Sequence, residues 1–598
     1  MSAAADGKPS QKPHDNETGG HAAQDQWASD VLAKTLRALG YRYLAMVPGS
    51  SFRGLQDSLV NHLGNTDPQI VMTLHEVQSV FIAQGYARAL GSPMAAALHA
   101  NVGLLNGSMG IYDTWCDRQP MLVIGATGPV DANRRRPWID WVHTSRDQGA
   151  LVRNYVKWDD QPASVEAAVE SLLRADQITR TRPHGPVYVC LDAGLQESKL
   201  AQPQPTPQIT RYAPAAAPSA GTEAINALLT ALRSARRPIL LFGRGRRAQA
   251  AWDARVALAE ATGATVITGL HAASVFPTTH AAHVLPPLGD RRTEAESEAL
   301  RNADLVVSFD WNDLAGLLSS CGASNRSATP SGPTVAHISL ETYITNGWTL
   351  DHQALPAVDI PVLADADQVV SQLCEALGQE RLPERRLASE HWTVEADRRR
   401  TAKRGTPMRS SDVSYIVTDA LKDLPVTYAR MPFGWSPYAC RFTGPLDFLG
   451  KDAGGTVGSG PGHCVGTALA LKDSGRLVVG VIGDGDFSIG MQALWTASHM
   501  ELPLLMIVVN NRSYFNDEVH QERVARERGR PVENKWIGQR IEPALDIPAI
   551  ARAQGFKASS PVTNEDDLRK ALAEAAAEVQ AGGRRLIDVS IEGGYEEK

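Results

Sequence analysis

The chain has 598 residues, of which 43% are hydrophobic and 21% charged, and a formal net charge of −7 at pH 7. This length predicts three or four domains of ordinary size. The basic residues are scattered along the chain, which argues against a nucleic-acid partner. No apolar run reaches the roughly 18 residues that a membrane-spanning helix needs, so we expect no membrane partner either.

The first residues of the chain and the cysteines indicate the location of the protein in the cell. Residues 1–25 are polar and rich in Gly, Pro, Ser, His and Asp, which predicts a disordered tail and not a signal peptide. The six cysteines are far apart in the sequence and form no CxxC pair. Free thiols are typical of reducing compartments, so we expect a cytoplasmic protein.

Two segments of unusual composition divide the chain into three units. Residues 201–220 are rich in Pro, Ala and Gln, and residues 378–411 are charged and poor in apolar side chains, so both are predicted linkers. The units that remain are 26–200, 221–377 and 412–598, each of domain size. Each unit alternates apolar strands with Ala-rich helices. This pattern predicts an α/β fold with three doubly wound, parallel-sheet domains.

The first unit contains a carboxylate at a strand–helix junction. VMTLHEVQSVFIAQGYARALG, residues 71–91, changes from strand to helix spacing at Glu76. On its own, Glu76 is explained by the preference of acids for the first turn of a helix. The turn VPGSS at 47–51, which includes Gly49 and Ser50, follows the first strand.

Two histidines stand in notable places. His99 ends the strand PMAAALHA in the first unit, and His280 lies in FPTTHAAH in the second. Each taken singly is more often structural, although imidazole can relay protons near neutral pH. In 138–149, two tryptophans and Arg146 fit either a subunit interface or the binding of a substrate anion.

Residues 477–516 of the third unit form the most informative stretch. LVVGVI is a short apolar strand that ends at Gly-Asp-Gly, Ser488 to Met500 has helical spacing, and LLMIVVN is a second buried strand. A right-handed crossover between parallel strands places Asp484 and Asn511 side by side at their carboxyl ends. Ligands bind at that edge of open α/β sheets.

The types of residue at this edge predict a phosphate and metal site. A carboxylate and an amide supply oxygen ligands, which suit Mg²⁺ and leave room for phosphate oxygens in its coordination shell. Gly483 and Gly485 allow backbone N–H groups to approach a diphosphate at the start of a helix.

Gly-Asp-Gly followed 27 residues later by the second Asn of an Asn-Asn pair resembles the signature of thiamine diphosphate (ThDP) enzymes. Other segments resemble the acetolactate synthase and benzoylformate decarboxylase superfamily, which is pyruvate decarboxylase-like: HE-xx-A…GYAR-x-G around Glu76, and GGTVGSGPGHCVG at 454–466. In 101–106 only Gly103 and Asn106 of the usual GPGATN motif remain. The resemblance implies Mg²⁺ ligation by Asp484, Asn511 and the carbonyl of Ser513.

The resemblance also implies the domain types and the cofactor contacts. Residues 26–200 correspond to the aminopyrimidine-binding (Pyr) domain, 221–377 to a central Rossmann-like domain, and 412–598 to the diphosphate-binding (PP) domain. Glu76 is expected to bind the aminopyrimidine ring, and Val457 to hold the cofactor in a bent form. The full set of implied cofactor contacts is Glu76, Gly49, Gly455, Val457, Gly483, Asp484, Gly485, Asp486, Asn511 and Ser513.

His99, His280 and Ser50 match the positions of the active-site histidines and serine of benzoylformate decarboxylase, so with Glu76 they are the expected catalytic residues. The implied reaction is non-oxidative decarboxylation of a 2-keto acid through an enamine, with carboligase capacity. The alternatives are an acetolactate-synthase-like transferase, a 2-hydroxyacyl-CoA lyase, or a non-catalytic protein with the cofactor fold.

The central unit resembles the family least. GRGRRA at 243–248 is a weak dinucleotide match, and FDWNDL stands where acetolactate synthases have RFDDR, so FAD is not expected and neither ADP nor CoA is supported. The resemblance implies active sites shared between two chains. We therefore expect a homodimer at least, and a homotetramer in the fuller assembly, acting on a small-molecule carbonyl substrate.

Overall fold

The computed structural model describes residues 25–289, 292–323, 332–343, 355–387, 391–402 and 404–593, so the predicted tail lies outside it except for Asp25. Its strands form three parallel sheets, which confirms the predicted fold class. The strands of these sheets are continuous apolar runs, because helices cover both faces of each sheet and both sides of each strand are buried.

The first sheet has six strands in the order Gln69–Met72, Tyr43–Met46, Met94–Leu98, Met121–Thr127, Pro186–Asp192 and Asp159–Asp160. The helices around it are Ala28–Ala38, Arg53–Asp57, Glu76–Leu90, Ala100–Cys116, Ile139–Val142, Val165–Arg180 and Ala193–Gln196. This strand order places the loops after the first four strands side by side at one edge of the sheet. Across that edge, the loops carry Glu76, Gly49, His99 and Gly128 in the same order as the strands.

The second sheet has five strands in the order Ile360–Val362, Thr334–Ile338, Leu305–Phe309, Pro238–Phe242 and Thr265–Ile267. Its helices are Thr222–Ser234, Gln249–Thr262, Glu294–Asn302, Leu314–Ser320 and Ala366–Leu377. Within 378–411, predicted to be a linker, Trp392–Thr401 is helical. Trp392 anchors this helix because its buried indole N–H donates to the carbonyls of Thr278 and His283, at 3.2 and 3.0 Å.

The third sheet has five strands in the order Val426–Arg430, Leu477–Gly483, Leu504–Asn510, Arg584–Ser590 and Lys557–Ala558. Its helices are Ser410–Ala420, Ser459–Leu471, Asp484–Gly490, Ala493–His499, Phe515–Glu527, Ile547–Ala553 and Glu565–Gln580. The helical spacing over 488–500 corresponds to the end of the helix Asp484–Gly490 and to the helix Ala493–His499. The two are separated by a turn at Met491 and Gln492, whose backbone angles stay in the right-handed helical region.

Helices Glu76–Leu90 and Ser459–Leu471 pack against each other and join the first domain to the third. Their backbones come close because glycines face the partner helix: Gly85 lies against the carbonyl of His463, and Gly466 against the carbonyl of Ile82. The apolar side chains around this crossing belong to one core cluster that includes both sheets. The helix that begins at Glu76 is therefore held rigidly against the third domain.

The cysteines are unpaired, and the helices are those of a protein without a membrane-spanning helix in its described part. All six cysteines are free thiols, five of them buried and Cys374 partly buried, as predicted. Among the helices of the described residues, none combines the length and apolar character required to cross a bilayer.

Candidate active site

Glu76 is the first residue of its helix. His75 precedes it in extended backbone and caps the helix, with Nδ1 accepting a hydrogen bond from the Val77 N–H at 3.2 Å. Asn106 donates from Nδ2 to Oε2 of Glu76 at 3.1 Å. The carboxyl group is thus partly buried and oriented by an amide from the neighbouring helix Ala100–Cys116.

His99 lies beside Glu76. A Cβ placed on Gly103 would stand 3.4 Å from both Cγ of Glu76 and Cβ of His99, so the two side chains flank the same glycine. Oγ of Ser51 and Nδ1 of His99 are 2.7 Å apart, and the rings of His99 and His143 meet edge to face at 4.9 Å. Burial, and then the His143 ring, lower the pKa of His99 from its usual value, so its imidazole is neutral near pH 7.

Ser50 and Ser51 have different hydrogen-bond partners. Oγ of Ser50 accepts a hydrogen bond of 3.2 Å from Nη2 of Arg136, while the adjacent Ser51 bonds to His99. Gly49 packs directly against the His99 ring, which only a residue without a side chain permits. The structure therefore brings Gly49, Ser50 and His99 together at the carboxyl edge of the first sheet.

His280 lies in the central domain, apart from these residues. Its Nε2 is 3.4 Å from a carboxylate oxygen of Glu260, and its Nδ1 accepts the Ala282 N–H at 3.1 Å. Its ring contacts Phe276. Within the described part of the chain, no hydrogen bond, ion pair or ring contact joins His280 to His99 or Ser50.

Asp484 is buried at the carboxyl end of Leu477–Gly483. Burial raises its pKa to about 6, although backbone N–H groups, among them those of Arg512 and Ser513, act in the opposite direction. The carboxylate therefore lies beside the turn that contains Asn511, as the sequence predicts. Its Oδ2 is buried and has no hydrogen-bond partner among the described residues.

Hydrogen bonds hold the turn 511–514 in place. Asn511 accepts the Ser513 N–H at 3.0 Å through Oδ1, and Arg512 between them has a left-handed backbone with φ 56°. The Ser513 hydroxyl donates to Glu518 at 2.5 Å, and Arg540 contacts the same carboxylate oxygen at 3.3 Å. Glu518, near the start of the helix Phe515–Glu527, thus holds the turn through Ser513.

Asp486 faces the loop before the helix Ser459–Leu471. Its Oδ1 accepts the N–H groups of Gly458 and Gly460 at 2.6 and 3.1 Å. This contact holds the loop in which Gly455 and Gly458 have positive φ, and from which the Val457 side chain projects with 45% of its surface exposed. Asp486 therefore shapes the segment that the resemblance assigns to the cofactor.

These residues fit ThDP with Mg²⁺. Asp484 offers an unpartnered carboxylate oxygen, Asn511 an amide oxygen, and Ser513 a backbone carbonyl, which are the hard oxygen ligands that Mg²⁺ takes with phosphate. The described residues contain no cluster of three or more His, Cys, Asp or Glu side chains that could hold a metal alone. A site completed by phosphate oxygens is consistent with both facts.

Three family models match the chain in order. The thiamine pyrophosphate enzyme N-terminal TPP binding domain matches 26–151, the central domain matches 225–373, and the C-terminal TPP binding domain matches 432–589. The chain belongs to the thiamine pyrophosphate enzyme family. Glu76 lies in the first matched segment, and Asp484, Asn511 and Ser513 lie in the last.

Individual relatives extend over nearly the whole chain. It is 24% identical over 587 residues to the acetolactate synthase isozyme 3 large subunit of Escherichia coli K12, covering 94% of this chain and 95% of the relative. It is 27% identical over 538 residues to benzoylformate decarboxylase of Pseudomonas aeruginosa, covering 86% and 90%. The crystal structure of benzoylformate decarboxylase from Polynucleobacter necessarius matches in fold, with a TM-score of 0.76, 20% identity, and coverage of 96% and 100%.

A cavity of about 860 Å³ opens between the central domain and its neighbours. It lies at the turns after Pro238–Phe242 and Leu305–Phe309, in the region of the weak dinucleotide match. Several of its arginines are paired internally: Arg244 bonds Asp310 and Glu341, and Arg246 bonds Asp365.

Sequence reasoning missed Ser51, Arg136 and His143, and it noted Asn106 without giving it a role. Arg136 and His143 lie in the long loop 128–148 after the strand Met121–Thr127, where no periodicity indicates which side chains turn inward. The usable signal was topological, because a loop that follows a strand next to Met94–Leu98 must begin beside His99.

Proposed function

We propose that the protein is a ThDP- and Mg²⁺-dependent lyase that decarboxylates a 2-keto acid and can join the remaining fragment to a second carbonyl compound. The buried, unpartnered Oδ2 of Asp484 beside the Asn511 turn carries this proposal. A buried carboxylate oxygen that lacks a hydrogen-bond partner is matched by a cation bound to it, and Mg²⁺ with a diphosphate supplies one.

Asp484, Asn511 and the Ser513 carbonyl would hold Mg²⁺, and Val457 with Gly455 would contact the cofactor from the facing loop. When bound, ThDP supplies the carbon nucleophile and the electron sink for loss of CO₂. Glu76 would hold a proton at its carboxyl group for the aminopyrimidine ring. The hydrogen bond from Asn106 orients this group.

His99 is suited to move a proton at the substrate. With the Ser51 hydroxyl bonded at Nδ1, the other ring nitrogen, Nε2, is left to face the reacting carbonyl. Ser50 lies on the same edge and would bind a substrate oxygen. His280 is the expected catalytic residue for which this chain gives least support, since its contacts lie within the central domain and with His391.

The proposed active site lies between two chains of a homodimer, which can assemble further to a tetramer. Apolar side chains near Glu76 and Val457 support this, because they are exposed in the single chain: Leu74, Val102, Leu105, Met109, Val457 and Ile489 are each 40 to 58% exposed. Patches of this kind mark protein interfaces. A cytoplasmic location agrees with six free thiols.

The test is CO₂ release from a panel of 2-keto acids by the purified protein with ThDP and Mg²⁺, with ThDP binding measured in parallel by calorimetry. Turnover that ends in an aldehyde supports the lyase. Turnover only when a second keto acid is present, giving a chiral hydroxy-keto acid, would establish the acetolactate-synthase-like transferase that the Escherichia coli relative suggests. Binding of ThDP without turnover of any 2-keto acid would overturn the proposed activity.

A further inference from the structure

A charged segment follows the turn that contains the expected metal ligands Asn511 and Ser513. It consists of the helix Phe515–Glu527 and the chain from 528 to 541, which returns to the same turn and joins it in an antiparallel bridge between Ser513 and Arg540. Two hydrogen bonds of 2.9 Å form this bridge, from the N–H of Tyr514 to the carbonyl of Gln539 and from the N–H of Ile541 to the carbonyl of Arg512. Ser513 therefore lies where the segment closes on itself.

One face of this helix holds the returning chain. The side chains that form the face are spaced three and four residues apart, which places them on the same side of a helix. Each of them contacts one side chain of the returning chain: Glu518 contacts Arg540, Gln521 contacts Gln539, and Glu522 contacts Lys535. The helix and the returning chain thus form one closed unit with the metal turn at its end.

Glu518 differs from the other acid of this face because it is buried. Its side chain is 3% exposed, compared with 23% for Glu522. Its carboxylate accepts the Ser513 hydroxyl at 2.5 Å and Nε of Arg540 at 3.3 Å. Hydrogen bonds to a buried, ionised group are stronger than those between neutral groups, whereas an exposed ion pair contributes little. Among the contacts of the segment, the one between Glu518 and Ser513 is therefore the firmest hold on the turn.

The turn needs this hold because its backbone is strained. Arg512 has φ 56°, a left-handed conformation that a residue with a side chain keeps only where its surroundings fix it. The Ser513 N–H donates to Oδ1 of Asn511 at 3.0 Å, so the position of Ser513 also orients the Asn511 amide. The hydrogen bond between Ser513 and Glu518 thus affects two of the three expected metal ligands.

The geometry that Mg²⁺ requires makes the position of these ligands important. Mg²⁺ takes a near-octahedral shell with ligand distances of about 2.1 Å, and a binding site keeps its affinity when its ligands are held to within about 0.5 Å. A turn that is already held in the cofactor-free protein also avoids the entropic cost of ordering it when the ligand binds. Whatever fixes Ser513 therefore contributes to the affinity for Mg²⁺.

We propose that Glu518 is a positioning residue of the metal site, and that the segment 515–541 holds the turn 511–514 in its metal-binding geometry before the cofactor binds. The inference rests on the proposed Mg²⁺ and ThDP site and adds the part of the chain that sets its affinity. In this role Glu518 contacts neither the metal nor the substrate and acts through Ser513. Loss of Glu518 should therefore weaken binding of Mg²⁺ and ThDP more than it slows the reaction.

The test measures ThDP binding by calorimetry over a range of Mg²⁺ concentrations. Glu518→Ala should raise the Mg²⁺ concentration for half-maximal ThDP binding by about tenfold to a hundredfold, the usual loss for a hydrogen bond to a charged group. At saturating Mg²⁺ and ThDP, kcat should fall by a smaller factor than the affinity, because bound metal then holds the turn. Glu518→Gln should recover most of the affinity, since its amide oxygen still accepts the Ser513 hydroxyl.

Two further variants separate positioning from general stability. Glu522→Gln breaks the ion pairs of the same helix with Arg526 and Lys535 without touching the turn, and should leave the Mg²⁺ dependence unchanged. Ser513→Ala removes the hydroxyl and keeps the backbone carbonyl, so its loss of affinity should match that of Glu518→Ala. The double variant should bind no more weakly than either single variant, because both remove the same hydrogen bond.

Hydrogen exchange in the cofactor-free proteins reports on the turn directly. The amides of 512–514 should exchange about tenfold faster in Glu518→Ala than in the wild-type protein or Glu522→Gln. Unchanged Mg²⁺ dependence in Glu518→Ala, an equal loss in Glu522→Gln, or additive losses in the double variant would overturn the inference. Mg²⁺-dependent ThDP binding without turnover of any 2-keto acid removes the proposed reaction and upholds the inference if the variants behave as expected. Wild-type binding of ThDP that does not depend on Mg²⁺ removes both.

Discussion

Gln78 donates a hydrogen bond of 3.1 Å from Nε2 to the backbone carbonyl of Gly458, which lies 380 positions further along the chain. The N–H of the same glycine is bound by Asp486. Gly458 is therefore held at both its polar groups, by the helix that starts at Glu76 and by the segment that follows Asp484. Within one chain, the loop that carries Val457 is thus fixed relative to the helix that begins at Glu76 and to the segment after Asp484.

Glu76→Gln should keep the fold and abolish most activity, because glutamine retains the size of the side chain and removes the proton-holding carboxyl group. We expect kcat to fall by about a hundredfold to ten-thousandfold, the usual range for a general acid–base group. Deuterium exchange at the thiazolium C2 of bound ThDP, followed by NMR, measures the affected step. Glu574→Gln, at an exposed position of Glu565–Gln580, is the charge control. Unchanged exchange in Glu76→Gln would remove Glu76 from the mechanism.

Asp484→Asn should stabilise the cofactor-free protein while abolishing the effect of Mg²⁺. Burial raises the pKa of Asp484 from 3.8 to about 6, so the folded state holds this proton more tightly than the unfolded state. The carboxyl therefore lowers the stability of the wild-type protein as pH rises from about 4 to about 6, by at most about 3 kcal/mol. At pH 7 the variant should show a higher unfolding free energy without cofactor.

Thermal unfolding with and without Mg²⁺ and ThDP checks both parts of this expectation. The cofactors should raise the Tm of the wild-type protein by preferential binding to the folded state, and leave that of Asp484→Asn nearly unchanged. An equal rise in both proteins would show that Asp484 is not a metal ligand. An identical pH dependence without cofactors would show that its carboxyl is not the buried acid described above.

Gly466→Ala should destabilise the contact between the first and third domains. A methyl group there would overlap the backbone carbonyl of Ile82, which cannot rotate away as a side chain can. Overpacking of this kind costs about 1–3 kcal/mol, measured as a lower urea midpoint of the first unfolding transition. Gly221→Ala, where nothing lies within 4 Å of the added carbon, should change the midpoint little. Equal midpoints for both variants would contradict the tight crossing.

The pKa of His99 should lie below its ordinary value of 6.5, because burial and the neighbouring His143 ring disfavour its charged form. In the folded state His99 binds a proton less readily than in the unfolded chain, so its contribution to stability is lost as pH falls below about 6.5. NMR titration of the ring Cε1–H, assigned with His99→Gln, measures the midpoint. A midpoint at or above 6.5 would contradict the neutral imidazole.

The sequence predicted the strands that bear Asp484 and Asn511 almost to the residue, because buried parallel strands are short apolar runs ended by polar turns. It did not predict the turn at Met491 and Gln492, because both residues keep right-handed helical angles there and the spacing of apolar side chains continues through the turn. It named Ser50 and gave no role to Ser51, whose hydroxyl contacts His99, because spacing within a turn does not show which way a side chain points. Arg136 was beyond prediction since it lies in an irregular loop.

Mixing two inactive proteins tests whether the site is shared between chains. Glu76 and Asp484 lie in different domains, and the apolar groups around them are exposed in the single chain. If Glu76 of one chain meets Asp484 of another, a hybrid of Glu76→Gln and Asp484→Ala chains contains one site with both residues intact. Such a hybrid dimer should show up to about half the activity of a wild-type dimer, because an isologous two-fold dimer has two equivalent sites and only one of them is intact.

Subunit exchange has to be confirmed by mass spectrometry of differently tagged chains, so that inactivity cannot arise from unmixed homodimers. Glu76→Gln chains mixed with chains that carry both substitutions are the matched control and should stay inactive, because no site then has both residues. Inactive hybrids of the single variants, with exchange demonstrated, would place Glu76 and Asp484 in one site of the same chain. The crossing of Glu76–Leu90 with Ser459–Leu471 would then be part of the active site and not only of the core.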